Sequence, residues 1–108
     1  MQKHPQSVFG RRLRAARDAA SIPQDRLGVM IGLDEGSSSA RISRYETGTH
    51  QPPFEIAEKL ASVLHVPAAY FYCRSDALSE LLLAAAAFDD GELTRLRKSA
   101  ERIRRSRK

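Results

Sequence analysis

The 108-residue sequence lacks the residues and segments on which several common classes of protein depend. Its one cysteine, Cys73, cannot form an intramolecular disulfide and excludes a zinc site built on cysteines. The simplest interpretation of Cys73 is a small half-buried side chain, in preference to a redox switch. No stretch reaches the about 18 to 20 apolar residues of a membrane span, and residues 1–6 lack the apolar block of a signal peptide. We therefore expect a cytoplasmic protein with no membrane partner.

The sequence also lacks a recognisable arrangement of catalytic side chains. His4, His50 and His65 are far apart, and neither a Cys–His pair nor a pair of carboxylates occurs at helical spacing. Asp34 and Glu35 could bind a metal, but two adjacent acids on a loop are weak evidence for a metal site. We therefore expect no enzyme activity, no cofactor and no metal.

The charged residues favour a polyanionic partner. The chain has 18 Lys and Arg against 13 Asp and Glu, which gives a formal net charge of +5 and a pI near 9.9. Such a balance is typical of nucleic-acid-binding proteins, although many solvated surfaces are basic without binding anything. Charge therefore permits a DNA-binding function and does not establish it.

Hydrophobic periodicity predicts an all-α protein, because the apolar–polar alternation of a strand never persists. Helices are predicted at residues 7–20, 23–31, 38–47, 54–64 and 68–73. After Arg74 the composition becomes rich in Leu and Ala, which are strong helix formers, and predicts further helices at residues 76–88 and 93–107. The chain is thus predicted to consist of a domain of residues 1–73 followed by a helical extension of residues 74–108.

The predicted third helix has two contrasting faces. It is predicted to begin near Ser38, whose hydroxyl can cap a free backbone N–H, and to end near Thr47. Ile42 and Tyr45 form an apolar face. The opposite face consists of small or basic residues at helical spacing: Ser39, Ala40, Ser43 and Arg44. A short helix of this kind suits the major groove of DNA.

Several segments resemble, in the same order, the helix-turn-helix domain of the phage-repressor and Cro class of bacterial regulators, the XRE-like family. The similar segments are Phe-Gly-Arg-Arg-Leu-Arg-Ala-Ala-Arg (9–17), Pro-Gln-Asp-Arg-Leu-Gly (23–28), Ile-Ser-Arg-Tyr-Glu-Thr-Gly (42–48), Gln-Pro-Pro (51–53) and Ile-Ala-Glu-Lys-Leu-Ala (56–61). The resemblance includes polar as well as apolar positions. It implies a five-helix bundle like that of lambda repressor, which inserts helix three into the major groove of double-stranded DNA.

The resemblance also implies roles for individual residues. Gln24 would touch phosphate or brace helix three, and Arg17 and Glu46 would form a partly buried salt bridge between helices one and three. The residues that would face base edges are Ser39, Ala40, Ser43 and Arg44. The loop of residues 47–51 would approach phosphate with its backbone N–H groups. The other side chains expected near phosphate are Arg11, Arg12, Arg41, Thr47, Thr49 and Lys3.

Two features depart from the family's pattern. The predicted loop of residues 32–37 is longer than the family's tight turn and includes Asp34 and Glu35, which phosphate would repel. We therefore expect either a loop that bulges away from DNA or a different angle of helix three. Pro53 occupies the position at which the family often caps helix four with serine.

The C-terminal extension has more apolar surface than so small a domain can bury, which indicates a partner. We expect a homodimer in which residues 76–103 pack across a two-fold axis. Its recognition helices would lie about 34 Å apart, one turn of DNA, and read a palindromic operator. The sequence thus predicts a sequence-specific transcriptional regulator, and a repressor more simply than an activator, because occluding a promoter needs no further parts. The alternative is an antitoxin or accessory protein whose C-terminal helices hold another protein.

Overall fold

The computed structural model describes residues 7–107, which are helical and contain no strand, so that the predicted all-α class is confirmed. Residues 1–6, including Lys3 and His4, and residue 108 lie outside the described part of the chain. The helices are α1 (Val8–Ala20), α2 (Gln24–Met30), α3 (Glu35–Thr47), α4 (Phe54–Leu64), a 3₁₀ helix (Ala68–Tyr72), α5 (Asp76–Ala85) and α6 (Asp90–Ser106).

Local chemistry explains where most of these helices begin and end. The Ser7 hydroxyl accepts a hydrogen bond from the Gly10 amide and caps α1, while Gly48 adopts the left-handed conformation, with φ 82°, directly after α3. Pro53 directly precedes α4 and provides no side-chain cap at the position where the family often has serine. These boundaries agree with the sequence predictions to within one or two residues.

The predicted start of α3 and the predicted long loop are wrong. The helix begins at Glu35, so that the connection from α2 is short and the remaining residues of the supposed loop form an extra first turn of α3. Asp34 and Glu35 lie at the amino end of this helix, where the helix dipole favours negative charge. Ser38 is therefore not an N-cap. It is a fully buried residue within the helix.

The hydrophobic core lies among α1 to α4 and the 3₁₀ helix. Its fully buried side chains include Leu13, Leu27, Ile42, Leu60 and Phe71, at least one from each of these five elements. The ring of Phe71 lies 4.9 Å from that of Phe9, measured between centroids. The sequence-based assignment of Tyr45 to the core is confirmed, because that side chain is 4% exposed.

The two C-terminal helices project from this core. α5 ends at Ala85, earlier than predicted, and α6 begins at Asp90 behind a capping box formed by Asp89 and Glu92. No residue of α6 is buried. The radius of gyration is 16.0 Å, whereas a compact domain of this length has about 13 Å. The helices of residues 7–107 are all too short or too polar to cross a membrane.

Candidate nucleic-acid interface

The position of α3 is determined first by its close contact with α2. A β-carbon added to Gly28 would lie 1.9 Å from the Ser38 hydroxyl oxygen, so only glycine allows the two helices to approach this closely. The Ser38 hydroxyl donates a hydrogen bond of 2.5 Å to the backbone carbonyl of Asp25 in α2. This contact lies in the first half of α3 and holds the extra turn against α2.

A buried ion pair fixes the other half of α3. The Arg17 guanidinium donates to both carboxylate oxygens of Glu46, with Nε–Oε2 and Nη2–Oε1 distances of 2.5 and 3.2 Å. Glu46 is only 3% exposed, and this hydrogen bond is the main reason that the pKa of Arg17 is raised. The predicted salt bridge between helices one and three is thus confirmed.

Gln24 braces the same carboxylate from the first turn of α2. Its side-chain amide donates to Glu46 Oε1 at 3.0 Å. The Ser39 hydroxyl lies 3.4 Å from Gln24 Oε1, so Gln24 connects the buried pair with the exposed face of α3. Of the two roles expected for Gln24, the structure shows the bracing one, and the phosphate contact stays a prediction.

The remaining face of α3 is open to solvent. Ile42 and Tyr45 are buried beneath it, whereas Ser39, Ala40 and Arg44 are exposed and Ser43 is half-buried. Arg41 is exposed beside them. The structure therefore brings the four predicted base-reading residues together on one accessible surface, which we call the α3 face (Ser39, Ala40, Ser43 and Arg44).

The loop after α3 uses two of its backbone N–H groups for hydrogen bonds within the chain. The amides of Gly48 and His50 donate to the carbonyls of Tyr45 and Arg44, so the prediction that the loop offers its backbone N–H groups to phosphate is wrong for these two. The hydroxyl oxygens of Thr47 and Thr49 lie 2.8 Å apart. Thr49 is exposed and Thr47 is half-buried, and both stay candidates for phosphate contact through their side chains.

Arg12 is buried, and its predicted role as a phosphate contact is wrong. The side chain is 7% exposed and donates to the backbone carbonyls of Cys73 and Arg74 at 2.9 and 3.1 Å. A sequence signal for this burial existed, because Arg12 lies on the same helical stripe as Phe9, Leu13 and Ala16. Its guanidinium is committed to contacts within the chain.

Arg11 is the more accessible neighbour of Arg12. Its side chain is 45% exposed and its Nη1 lies 3.6 Å from Asp76 Oδ1. An exposed pair at this distance is weak, so that Arg11 can leave it for another anion. The phosphate contact predicted for Arg11 stays a prediction.

The early start of α3 is the feature that sequence reasoning missed. Gly36 and the serines that follow it are poor helix formers, which favoured a loop. Asp34 followed by an acidic first-turn residue is, however, a helix-start signal that would have located the true boundary. Asp34 and Glu35, which are weak candidates for a metal site from the sequence alone, belong to that helix boundary. No group of three potential metal-ligating side chains occurs among residues 7–107.

Comparison with known proteins agrees with this geometry. Residues 8–70 match the family model of the helix-turn-helix domain. Among solved structures, the chain is similar to the crystal structure of the transcriptional regulator BswR, with 42% sequence identity and a TM-score of 0.79. The alignment covers 86% of this chain and 92% of that chain, and therefore extends beyond residues 8–70. No curated protein sequence gives a significant match. The chain belongs to the helix-turn-helix family of transcriptional regulators.

Proposed function

We propose that this protein is a sequence-specific regulator, and not an enzyme, that binds double-stranded DNA by inserting α3 into the major groove. The single observation that carries the proposal is the α3 face. It is exposed, while the opposite side of the same helix is anchored by Ile42, Tyr45 and the Arg17–Glu46 pair. A helix that is held rigidly from behind and bears small or basic residues in front can approach base edges closely.

Within the α3 face, Arg44 is the residue best suited to discriminate between bases. Its planar guanidinium can donate two hydrogen bonds to O6 and N7 of guanine, a contact worth about 1–3 kcal/mol of discrimination. Ser39 and Ser43 can donate or accept and so discriminate less, while the Ala40 methyl can pack against the methyl group of thymine. Because these side chains are small, sequence-dependent DNA shape contributes to the specificity as well.

Phosphate contacts supply most of the affinity in this proposal. Arg41 lies beside the α3 face and is exposed. Gln24 borders this face through its contact with Ser39, and Thr47 borders it because its hydroxyl donates to the Arg44 carbonyl at 3.3 Å, with Thr49 next to Thr47. Arg11 adds a further mobile cation on α1. Each neutralised phosphate releases counterions, so that binding weakens steeply as salt is raised. Arg12 has no part in this set, since its guanidinium is used internally.

A homodimer formed by the C-terminal helices completes the proposal. α5, α6 and the connection between them leave large apolar side chains in water: Leu78, Leu81, Leu83, Phe88, Leu93 and Ile103 are 37% to 67% exposed. None of the 17 residues of α6 is buried, whereas helices in proteins gain most of their stability from tertiary packing of an amphipathic face. A second copy supplies the missing packing and also doubles the number of recognition helices, which suits a palindromic operator.

We propose repression as the mode of regulation, because occlusion of a promoter requires nothing beyond the DNA-bound dimer. The same apolar helices also support the second candidate function, an antitoxin or accessory protein that holds a different protein. The two candidate functions require different oligomeric states of the isolated chain in solution. The first requires a dimer of this chain alone, and the second requires the isolated chain to be monomeric at micromolar concentration.

The test of the proposal is selection of bound DNA from a random pool at several salt concentrations. The expected result is a palindromic motif and a strong decrease of affinity with salt. Binding without sequence preference would overturn the regulator assignment and leave a general nucleic-acid-binding protein.

A pair of variants tests the two kinds of contact separately. Arg44→Ala is expected to relax the preference at one base pair per half-site, whereas Arg41→Ala is expected to weaken binding to all sequences alike and to reduce the salt dependence. Both side chains are exposed on α3, so neither variant should change the fold. An Arg44→Ala protein that keeps the full motif would remove Arg44 from base recognition.

A further inference from the structure

Arg12 is a buried arginine that has no role in the proposed DNA-binding mechanism. Its guanidinium contacts the core residue Tyr70 and the segment that leads from the core into α5. Nε and Nη2 donate to the carbonyls of Cys73 and Arg74, Nη2 lies 3.0 Å from Asp76 Oδ1, and the guanidinium carbon lies 5.8 Å from the centre of the Tyr70 ring. A planar group with several donors held in this way restrains both position and angle.

These contacts join the helix-turn-helix domain to the C-terminal helices. Cys73, Arg74 and Ser75 form the whole connection between the 3₁₀ helix and α5, and Asp76 is the first residue of α5. Arg12 reaches this connection from α1, 61 and 62 residues away along the chain. The proximity of Arg12 is also the main reason that the pKa of the Asp76 carboxyl lies below its ordinary value.

Apolar packing alone does little to orient the extension. Within α5, Ser79 is the buried residue, and Leu82 packs partly against the core. α6 has no buried residue at all. A small apolar contact resists separation but permits rotation, whereas a guanidinium bonded to two carbonyls and a carboxylate does not.

We propose that Arg12 is a positioning residue that sets the half-site spacing of the operator, by holding α5 at one angle to the helix-turn-helix domain. This proposal rests on the proposed homodimer, because the spacing between two recognition helices depends on how each domain is joined to the dimerising helices. One added base pair moves a half-site by about 3.4 Å and rotates it by about 34° around the DNA axis. A joint of fixed angle distinguishes such spacings, and a loose joint accepts several.

The experiment measures binding to palindromes that share one selected half-site but differ in spacing. Wild-type protein is expected to bind the optimal spacing at least about tenfold more tightly than spacings one base pair longer or shorter. Arg12→Met retains an unbranched apolar stem and removes the guanidinium. This variant is expected to select the same half-site sequence but to discriminate between spacings by less than about threefold.

One control variant and two measurements separate positioning from general stability. Val63→Ala weakens packing between α4 and the core without touching Arg12 or the connection, and it should keep the wild-type spacing preference. Dimer formation and helix content are measured for each variant by sedimentation and circular dichroism. If Arg12→Met does not fold, Asp76→Ala takes its place, because its carboxylate side chain is 81% exposed and removing it leaves the core intact.

The outcomes are distinct. Loss of spacing discrimination with an unchanged half-site motif supports the positioning role. A folded, dimeric Arg12→Met protein, or Asp76→Ala in its place, that retains the wild-type discrimination overturns this role and leaves the proposed function standing. A wild-type protein that selects no repeated half-site overturns both the proposed function and this inference.

Discussion

Replacing Arg17 by methionine tests how strongly the buried ion pair fixes α3. The substitution keeps most of the apolar stem but leaves the Glu46 carboxylate, whose side chain is 4% exposed, with Gln24 as its one remaining side-chain donor. Removing one partner of a buried pair costs about 3–5 kcal/mol, because the other charge stays in a poorly solvated site. Domains of this size have about 5–15 kcal/mol of stability, so that the loss is a large part of the total.

The expected result is a decrease of about 15 °C or more in the unfolding temperature, since each kcal/mol corresponds to about 4–8 °C in a small domain. Urea unfolding followed by circular dichroism gives the free energy of unfolding, at fixed protein concentration because the stability of the proposed dimer would depend on concentration. The double variant Arg17→Met/Glu46→Leu removes both charges and should return to within about 1 kcal/mol of the wild type. The coupling energy between the two sites should then be at least about 2 kcal/mol.

The matched control is the ion pair between Arg97 and Glu101 on α6. Its Nη1–Oε2 distance is 2.8 Å, but the two side chains are 60% and 43% exposed. Arg97→Met should therefore cost less than about 0.5 kcal/mol. If Arg17→Met costs no more than this control, Glu46 is not an uncompensated buried charge and the account of how α3 is anchored is wrong.

Three further predictions concern packing, acid stability and assembly. Gly28→Ala should destabilise the fold by about 1–3 kcal/mol and weaken DNA binding, because the added methyl would overlap Ser38. Gly36→Ala should instead stabilise the fold by about 1 kcal/mol in urea unfolding, because a methyl group added there has no atom within 4 Å. Hydrogen bonding to Arg12 lowers the pKa of Asp76 below its ordinary value of 3.8. The ionised Asp76 carboxylate therefore stabilises the fold fully above pH 3.8, and this stabilisation is lost as the pH falls through the folded-state pKa. Acid unfolding of Asp76→Asn should lack this loss of stability. Leu81→Glu places a charge within the exposed apolar set and should shift the sedimenting species from dimer to monomer. An unchanged dimer would exclude this part of α5 from the interface.

The sequence predicted most of the fold because local periodicity carries most of the information about a helical protein. The stripe of α4 predicted its bounds correctly, and Pro23, Gly48 and Pro67 marked connections between helices. The exposed α3 face and the Arg17–Glu46 pair could be predicted because their residues stand at matching positions in a known domain. The start of α3 was missed because the weak helix propensity of Gly36 and its neighbouring serines was given more weight than the start signal at Asp34, and because the contact of Ser38 with α2 is not visible in the local sequence.

The order of the helices, most of the residues that face the core and the exposed α3 face are properties of the sequence by itself, since each depends on neighbours three or four positions apart. The contact that holds the extra turn of α3 against α2, the hydrogen-bond partners of Arg12 and the absence of buried residues in α6 were decided only by the tertiary structure. Each depends on groups distant in the chain, as in the bonds from Arg12 to residues 61 and 62 positions away. Periodicity shows that a side chain points inward, but only the assembled fold shows which carbonyls and carboxylate it meets there.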